Sequence, residues 1–359
     1  MGLYRPLVRP LLFRFDPETV HERVGAALRA LARLPGGRAV LAALWGYRSP
    51  RLRLRLGEVE FPNPVGLAAG FDKTGALYPA LAAMGFGSIE CGTFTALPQA
   101  GNPRPRVVRL ERERALVNRM GFNNPGAERA AATLARQRRT VPRGVSVGKG
   151  RAVPLAEAPQ DHAAAIAHLA RHGDYVAINV SSPNTPGLRA LAAPEPLRAV
   201  LRAARAALVA AGAPARPLWL KLSPDLEPGE LEGLVGLALD EGVAALILVN
   251  STVRKDEVPA AAAEEGGLSG APLRARALAL LRQAYALCRG RLPLVGVGGI
   301  FTPADALARI RAGASLVQVY TGYVFEGPGL PRRINRYLDA VLRRERARLA
   351  DLVGSEGAA

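Results

Sequence analysis

From Asn63 onward the chain alternates short apolar runs with longer stretches of helical period. The runs fall at Val65–Ala69, Gly87–Glu90, Val145–Val147, Tyr175–Val180, Leu218–Leu222, Ala245–Val249, Leu294–Val297 and Leu316–Tyr320. Short, nearly continuous apolar segments of this kind are strands buried on both faces. Between them Pro194–Ala211, Pro228–Glu241, Leu273–Cys288 and Pro303–Ala312 carry Ala, Leu and Arg with the period of amphipathic helices. Strands alternating with helices imply βαβ units and a parallel sheet. Eight such units point to an α/β fold of the closed (β/α)8 TIM-barrel type rather than to a doubly wound sheet.

The first fifty residues follow a different pattern. Asp16-Pro17 reads as a helix N-cap with proline at the first helical position. Val20, Val24, Leu28 and Leu31 then recur at helical spacing until Pro35-Gly36-Gly37, and a second short helix is expected over Arg38 to Trp45. Arg51 to Leu56 and Glu58 to Pro62 suggest a β-hairpin turning at Gly57. The expected organisation is thus an N-terminal helical extension, residues 1–50, appended to a barrel over residues 51–359.

Composition narrows the function. With 49% hydrophobic residues a large core is available, and no apolar run approaches the ~20 residues of a membrane span. Cys91 and Cys288 are the only cysteines, which excludes a disulfide framework and a cysteine-rich zinc site and fits a reducing, cytoplasmic setting. Arg5, Arg9 and Arg14 interrupt the apolar residues between Met1 and Asp16, so no signal-peptide core can be drawn. The net charge of +18 is spread through segments mixed with Glu or Leu, without zinc-finger spacing or an aromatic ribonucleoprotein motif. Solvated faces and an anionic membrane surface are therefore the expected readings, and no nucleic acid is expected. Of 48 basic residues only Lys73, Lys149, Lys221 and Lys255 are lysine, which marks positions where a compact ammonium is needed rather than a planar fork.

In a barrel the chemistry sits at the carboxyl ends of the strands. Those ends here read Ala68-Ala69-Gly70-Phe71-Asp72-Lys73, Cys91-Gly92-Thr93, Ser146-Val147-Gly148-Lys149, Asn179-Val180-Ser181-Ser182-Pro183-Asn184-Thr185-Pro186-Gly187, Lys221, Asn250-Ser251-Thr252, Gly296-Val297-Gly298-Gly299 and Tyr320-Thr321-Gly322. The long loop after the second strand adds Asn118-Arg119-Met120-Gly121-Phe122-Asn123-Asn124. Amides, hydroxyls, glycines and lysines dominate. None of His21, His162, His168 and His172 falls at a strand end, so a metal centre is not expected, and Asp72 is the lone acid of these motifs. Glycines after the last two strands are the usual phosphate cradle of a barrel. A phosphorylated cofactor among neutral amides suggests flavin mononucleotide (FMN).

The segments Asn63 to Gly75, Asn118 to Asn124, Asn179 to Arg189, Gly266 to Gly270, Gly296 to Ile300 and Gly313 to Gly322 resemble the motifs of dihydroorotate dehydrogenases, in order and with matching spacing. The resemblance also selects a class, because the cytosolic enzymes carry cysteine as the base and the quinone-dependent, membrane-associated ones carry serine. Ser182 holds that position here, and the helical extension is a hallmark of the same class. The implied activity is oxidation of (S)-dihydroorotate to orotate with a quinone as acceptor, in de novo pyrimidine synthesis. The implied location is peripheral, on the cytoplasmic face of the bacterial cell membrane.

The resemblance further implies roles. Ser182 would remove the C5 proton of dihydroorotate while hydride leaves C6 for flavin N5, and Thr185 and Phe122 would line the path of that proton. Lys73, Asn118, Asn179, Asn184, Asn250 and Ser251 would hold the substrate, with Arg119, Met120, Gly121 and Phe122 around it. Lys221 would stabilise negative charge on the reduced ring. Ala69, Gly70, Phe71, Asp72, Lys73, Thr93, Ser146, Asn179, Val249, Gly270, Gly299, Tyr320 and Thr321 would complete the FMN site. His21, Arg109 and Tyr320 would orient the quinone at the inner end of an apolar passage between the N-terminal helices. Two positions depart from the family pattern, Ser146 standing for a common Asn and Val249 for a common Thr. Rival readings are a cytosolic fumarate- or NAD-dependent dehydrogenase, a non-redox phosphate-binding barrel enzyme, and a basic binding protein.

Overall fold

The computed structural model describes residues 3–185 and 187–357. Pro186, part of the serine motif, lies outside them. Eight strands form the barrel: β1 (Val65–Asp72), β2 (Ser88–Phe94), β3 (Arg143–Val147), β4 (Tyr175–Asn179), β5 (Leu218–Leu222), β6 (Ala245–Leu248), β7 (Leu294–Val297) and β8 (Ala314–Val319). Each pairs in parallel with its neighbours in sequence, and β8 returns to β1, so the sheet closes. All eight expected strands are present. β1 and β2 run further than their apolar runs because each contains an irregularity in the ladder, between Leu67 and Asp72 and between Cys91 and Phe94. Those breaks turn Ala69-Gly70 and Gly92-Thr93 out of regular pairing, toward the carboxyl end of the barrel.

The opposite end is sealed. Leu54–Leu56 and Val59–Phe61 form the expected hairpin, with Gly57 at φ 56° where an L side chain would be strained. Phe61 stacks on Trp219 at 6.2 Å between ring centroids, and Trp219 on Tyr175 at 3.6 Å. These rings fill the lower barrel, so the interior is a packed core with chemistry confined to the other end.

A second small sheet was not legible in the sequence. Val107–Leu110 and Ala115–Asn118, from the long loop after β2, pair antiparallel, and Gly267–Gly270 joins them from the loop after β6. The runs are four residues each, too short for a period to show. Their register sets Asn118 opposite Gly267, beside the mouth of the barrel.

In the N-terminal extension α1 spans Pro17–Arg33 and α2 spans Gly37–Trp45. Asp16 caps α1 by accepting from the Thr19 amide at 2.8 Å, with Pro17 at the first position as the sequence predicts. A further helical stretch over Tyr4–Leu12 was not expected. The link back to the barrel is anchored on Asp339, which accepts from Tyr47 Oη (2.8 Å), Ser49 Oγ (2.6 Å) and Arg51 Nε (2.9 Å). Burial alone would raise this carboxyl, but those three donors outweigh it and hold Asp339 at about 2.

Candidate active site

A cleft opens where the carboxyl ends of the strands meet the small sheet. The space between its walls, open mouth included, is about 1140 Å³. Ala69, Gly70 and Lys73 line it from the end of β1, Thr93 from β2, Asn179 from β4 and Lys221 from β5. Val249, Asn250 and Ser251 enter after β6, Gly299 after β7, and Tyr320 and Thr321 after β8. Asn118, Met120, Gly121, Phe122 and Gly270 come from the small sheet and its flanks, and Ser182 and Asn184 from the loop after β4.

Hydrogen bonds tie the polar residues into one network. Asn179 Nδ2 donates to Thr93 Oγ1 at 3.0 Å, and the Thr93 and Ser146 hydroxyls share a hydrogen bond at 2.9 Å. Asn179 Oδ1 accepts from Ser181 Oγ at 3.0 Å, and Asn250 Nδ2 donates to the same Ser181 oxygen at 3.0 Å. The Asn179–Lys221 pairing between β4 and β5 sets an amide beside an ammonium. On the far wall Asn184 Nδ2 donates to Asn118 Oδ1 at 3.0 Å, joining the loop after β4 to the small sheet. Such fixed amides suit a planar ligand edge that offers alternating donors and acceptors.

Ser182 is buried, and its Oγ accepts from the Asn184 amide at 3.3 Å. No histidine or carboxylate hydrogen-bonds to it among the described residues. Three residues on, Thr185 Oγ1 is buried without a partner among the described residues. A lone hydroxyl of this kind calls for a water or a ligand group, since burying it unsatisfied costs ~1–3 kcal/mol. Phe122 lines the cleft beside the loop after β3. Its ring packs where a Cβ on Gly148 would fall, 2.8 Å away, so glycine at 148 is what admits the ring.

The lysines divide. Lys73 and Lys221 line the cleft. Burial lowers Lys73 to about 8, against the raising effect of Glu18. Burial also lowers Lys221, opposed by Glu90 at 3.8 Å. Lys149 instead donates to the Gly150 and Val153 carbonyls at 2.8 and 2.5 Å and holds the loop after β3, while Lys255 bonds the Glu264 carbonyl.

Several residues expected at the site stand elsewhere. The Asp72 carboxylate points away from the cleft, accepts from the Leu77 amide at 3.0 Å, and is pushed up to about 6 by burial against the pull of backbone amides. It shapes the loop after β1. The Phe71 ring faces α1, edge-on to His21 at 4.8 Å, and Arg119 donates outward to the Pro105 carbonyl at 3.0 Å. Ser146 is fully buried beneath Thr93 and off the cleft surface, so it acts on the site by orienting the Thr93 hydroxyl. Thr185 likewise lies behind the lining. His21 and Arg109 are outside the cleft, but Phe71 bridges His21 to Tyr320, whose ring centroid is 5.7 Å away. Burial, aided by the Lys73 charge, brings His21 down to about 4, so it is neutral at physiological pH. The Arg109 guanidinium lies 4.4 Å over the Phe13 ring and donates to the Leu12 and Phe15 carbonyls, tying the small sheet to the N-terminal extension.

The sequence reading missed Glu90, Gln318 and Ser269. Gln318 and Ser269 line the cleft, and Glu90 sits fully buried below it. An acid closing an apolar strand segment, as Glu90 does, was the available signal.

The dihydroorotate dehydrogenase family profile matches residues 51–342, the whole barrel with the cleft in it. The chain belongs to this family. Among curated relatives, the dihydroorotate dehydrogenase (quinone) of Thermobifida fusca is 48% identical over 98% of this chain and 96% of its own length. That of Deinococcus deserti is 47% identical over 99% of this chain and 100% of its own. Both alignments include the N-terminal extension. Two crystal structures of the Eimeria tenella dehydrogenase superpose on this fold. The ligand-free one has a TM-score of 0.86 at 33% identity, covering 96% of this chain and 100% of that one. The one in complex with ferulenol has 0.83 at 32%, covering 95% and 96%.

Proposed function

We propose that this dehydrogenase oxidises dihydroorotate to orotate and delivers the electrons to a membrane quinone, with FMN as its cofactor. The observation that carries the reading is the position of Ser182. It lines the same cleft as Lys73, Asn179, Asn250 and Lys221, without a cysteine, histidine or carboxylate to serve as base in its place. The donor set also fits FMN. Lys221 brings a buried positive charge, Thr93 and Asn179 bring fixed polar edges, and Gly298 and Gly299, at φ 103° and 70°, leave bare backbone N–H groups for a phosphate.

Lys73 matches the substrate carboxylate, and the asparagine amides match its urea-like edge. Held so, the substrate presents C5 to Ser182. As the C5 proton passes to Ser182 Oγ and hydride leaves C6, the C5=C6 double bond of orotate forms. Bound FMN supplies the acceptor for that hydride and a store for the two electrons until quinone takes them. A serine hydroxyl is a poor base, so Ser182 must lose its own proton as it gains the substrate's. On this reading Thr185, three residues on, relays that proton, which is supported by its buried hydroxyl having no partner among the described residues.

The N-terminal extension provides the meeting point with quinone. Leu3, Leu7, Leu11, Phe15, Leu34, Val40 and Leu44 expose apolar side chains there, among arginines. Such a surface lies on an anionic membrane without crossing it, and no helix among the described residues is long and apolar enough to cross. On this reading the protein is peripheral, at the cytoplasmic face. From that surface His21, Phe71 and Tyr320 lead inward to the cleft, with Arg109 beside the extension.

The test is the visible spectrum of the purified protein. A bound flavin should colour it yellow, anaerobic dihydroorotate should bleach it, and a quinone should restore the colour. Colourless protein that gains no colour from FMN, or yellow protein that dihydroorotate leaves unchanged, would overturn the reading.

A further inference from the structure

Below the floor of the cleft lies a charged cluster that the roles assigned above do not use. Glu90, on β2, is fully buried on the barrel axis. Its Oε2 accepts from Gln318 Nε2 at 2.9 Å and from Tyr175 Oη at 3.2 Å, donors on β8 and β4. Tyr175 is itself clamped against Trp219 of β5. Held by that one oxygen, the carboxylate turns Oε1 toward Lys221 Nζ at 3.8 Å, and Oε1 has no hydrogen bond of its own. Lys221 has no hydrogen bond among the described residues, so all three of its donors remain for the cleft and the carboxylate below.

This arrangement is a poor device for stability. A buried ion pair gains little net stability over a well-packed apolar pair, and this one is too long for a direct hydrogen bond. It is a good device for fixing a charge. We propose that Glu90 is a positioning residue of the reaction: it holds the Lys221 ammonium charged and aimed at the cleft floor, and so sets how readily the bound cofactor accepts electrons. The proposal rests on the reading of the cleft as a flavin site. The groups beside Lys221 are Glu90 from β2 and Asn179 from β4, with Gln318 of β8 and Tyr175 of β4 bound to Glu90 and the Cys91 thiol next along β2, held high by burial and so uncharged. Among the described residues Glu90 is thus the single negative charge beside the ammonium. Burial favours the neutral amine, and Glu90 opposes it. Without that charge Lys221 would lose its proton at a lower pH, and negative charge arriving with hydride would meet an uncharged amine.

The experiment compares wild type with Glu90→Gln, which keeps shape and removes charge, and with Glu90→Asp, which keeps charge and draws it back by one methylene. Flavin content, flavin dissociation constant and midpoint potential are measured from about pH 6 to about pH 9. Removing the carboxylate leaves the ammonium unopposed while it stays protonated, which raises the potential. It also lets the ammonium lose its proton sooner as pH rises, which brings the potential down. The potential of Glu90→Gln should therefore fall more steeply with pH than that of wild type, by about 30 mV for a two-electron couple, or about tenfold in the preference for reduced over oxidised flavin. Glu90→Asp should change the slope in the same direction by less, and it decides the matter alone if Glu90→Gln fails to fold. A potential that superimposes on wild type across the whole range, in whichever variants hold flavin, overturns the proposal, because a purely structural Glu90 would leave the potential unmoved. Wild-type protein that binds no flavin would instead bring down the reading of the site itself.

Discussion

Arg106 grips Glu18 through both carboxylate oxygens, with Nε 3.1 and 3.0 Å from Oε1 and Oε2 and Nη2 2.7 Å from Oε1. Both side chains are 6% exposed. The pair joins α1 of the extension to the chain just ahead of the small sheet, and Arg104 reaches Glu18 and Glu22 from the same loop. Glu18 is also the acid that most supports the charge on Lys73. One carboxylate therefore touches both the attachment of the extension and the electrostatics of the cleft.

Removing one partner strands the other as a buried, unpaired charge. Arg106→Leu should cost about 2–5 kcal/mol of stability, measured by denaturant unfolding, and should loosen the extension to proteolysis before the barrel. Burial raises the Glu18 carboxyl, but the Arg106 hydrogen bonds and charge outweigh it and leave it lowered. The contribution of the pair is thus present above the unfolded carboxylate range and lost as pH falls through the lowered value. Protection of the extension should fade in acid in wild type and be absent at every pH in Arg106→Leu.

Ser182 is assigned to proton removal and not to cofactor binding, so Ser182→Ala should keep its flavin. Its flavin reduction by dihydroorotate, followed by stopped flow, should slow by at least ~10²-fold. Thr185→Val should slow the same step without changing flavin content, since it removes only the buried, unpartnered hydroxyl. An alanine variant that reduces its flavin at the wild-type rate would refute the assignment of the base.

The barrel was legible because its signals are long or repeated. Each strand is a buried run between helices of clear period, and the closure follows from their number. The cleft was legible where chemistry sits at a strand end, as with Thr93, Asn179, Lys221 and Asn250. It was less so where the chain bends within a motif. Phe71 and Asp72 directly follow Gly70, but the break in the β1 ladder sends the Asp72 side chain under the loop and the Phe71 ring toward α1. Sequence proximity to a binding residue could not show that. The small sheet escaped notice because its third strand comes from a distant loop, and its pairing with Ala115–Asn118 is a tertiary fact.

The lysine count gives a sharper test. Lys73 and Lys221 face the cleft, whereas Lys255 needs only a donor for the Glu264 carbonyl. Lys73→Arg and Lys221→Arg should both impair turnover severely, because a wide planar fork replaces a compact ammonium in a packed site. Lys255→Arg should be silent. Burial holds Lys73 at about 8, so the wild-type KM for dihydroorotate should rise as pH passes above that value and the ammonium loses its proton. Equal tolerance of arginine at all three positions would show that the scarcity of lysine carries no functional meaning.

The extension yields the most demanding prediction. Eleven arginines precede Leu56, opposed by only Asp16, Glu18 and Glu22, and the exposed leucines and Phe15 lie among them. A surface that combines apolar side chains with positive charge gains from an anionic bilayer by both routes. The extension supplies no residue assigned to dihydroorotate. Its electrostatic tie to the cleft is Glu18, whose loss would weaken the charge on Lys73 and raise the KM for dihydroorotate without stopping flavin reduction at saturating substrate. Deleting residues 1–50 should therefore spare flavin reduction by saturating dihydroorotate, abolish reoxidation by a long-tailed quinone, and weaken binding to anionic vesicles. The deletion uncovers barrel surface under α1 and α2 and strands Arg106, so flavin content is the check that the remainder has folded. With flavin retained, loss of quinone turnover beside normal flavin reduction assigns the extension to quinone. A flavin-loaded truncation that still reduces long-tailed quinone at the full rate would mean that electrons leave by another route, and that the line from His21 through Phe71 to Tyr320 is packing alone.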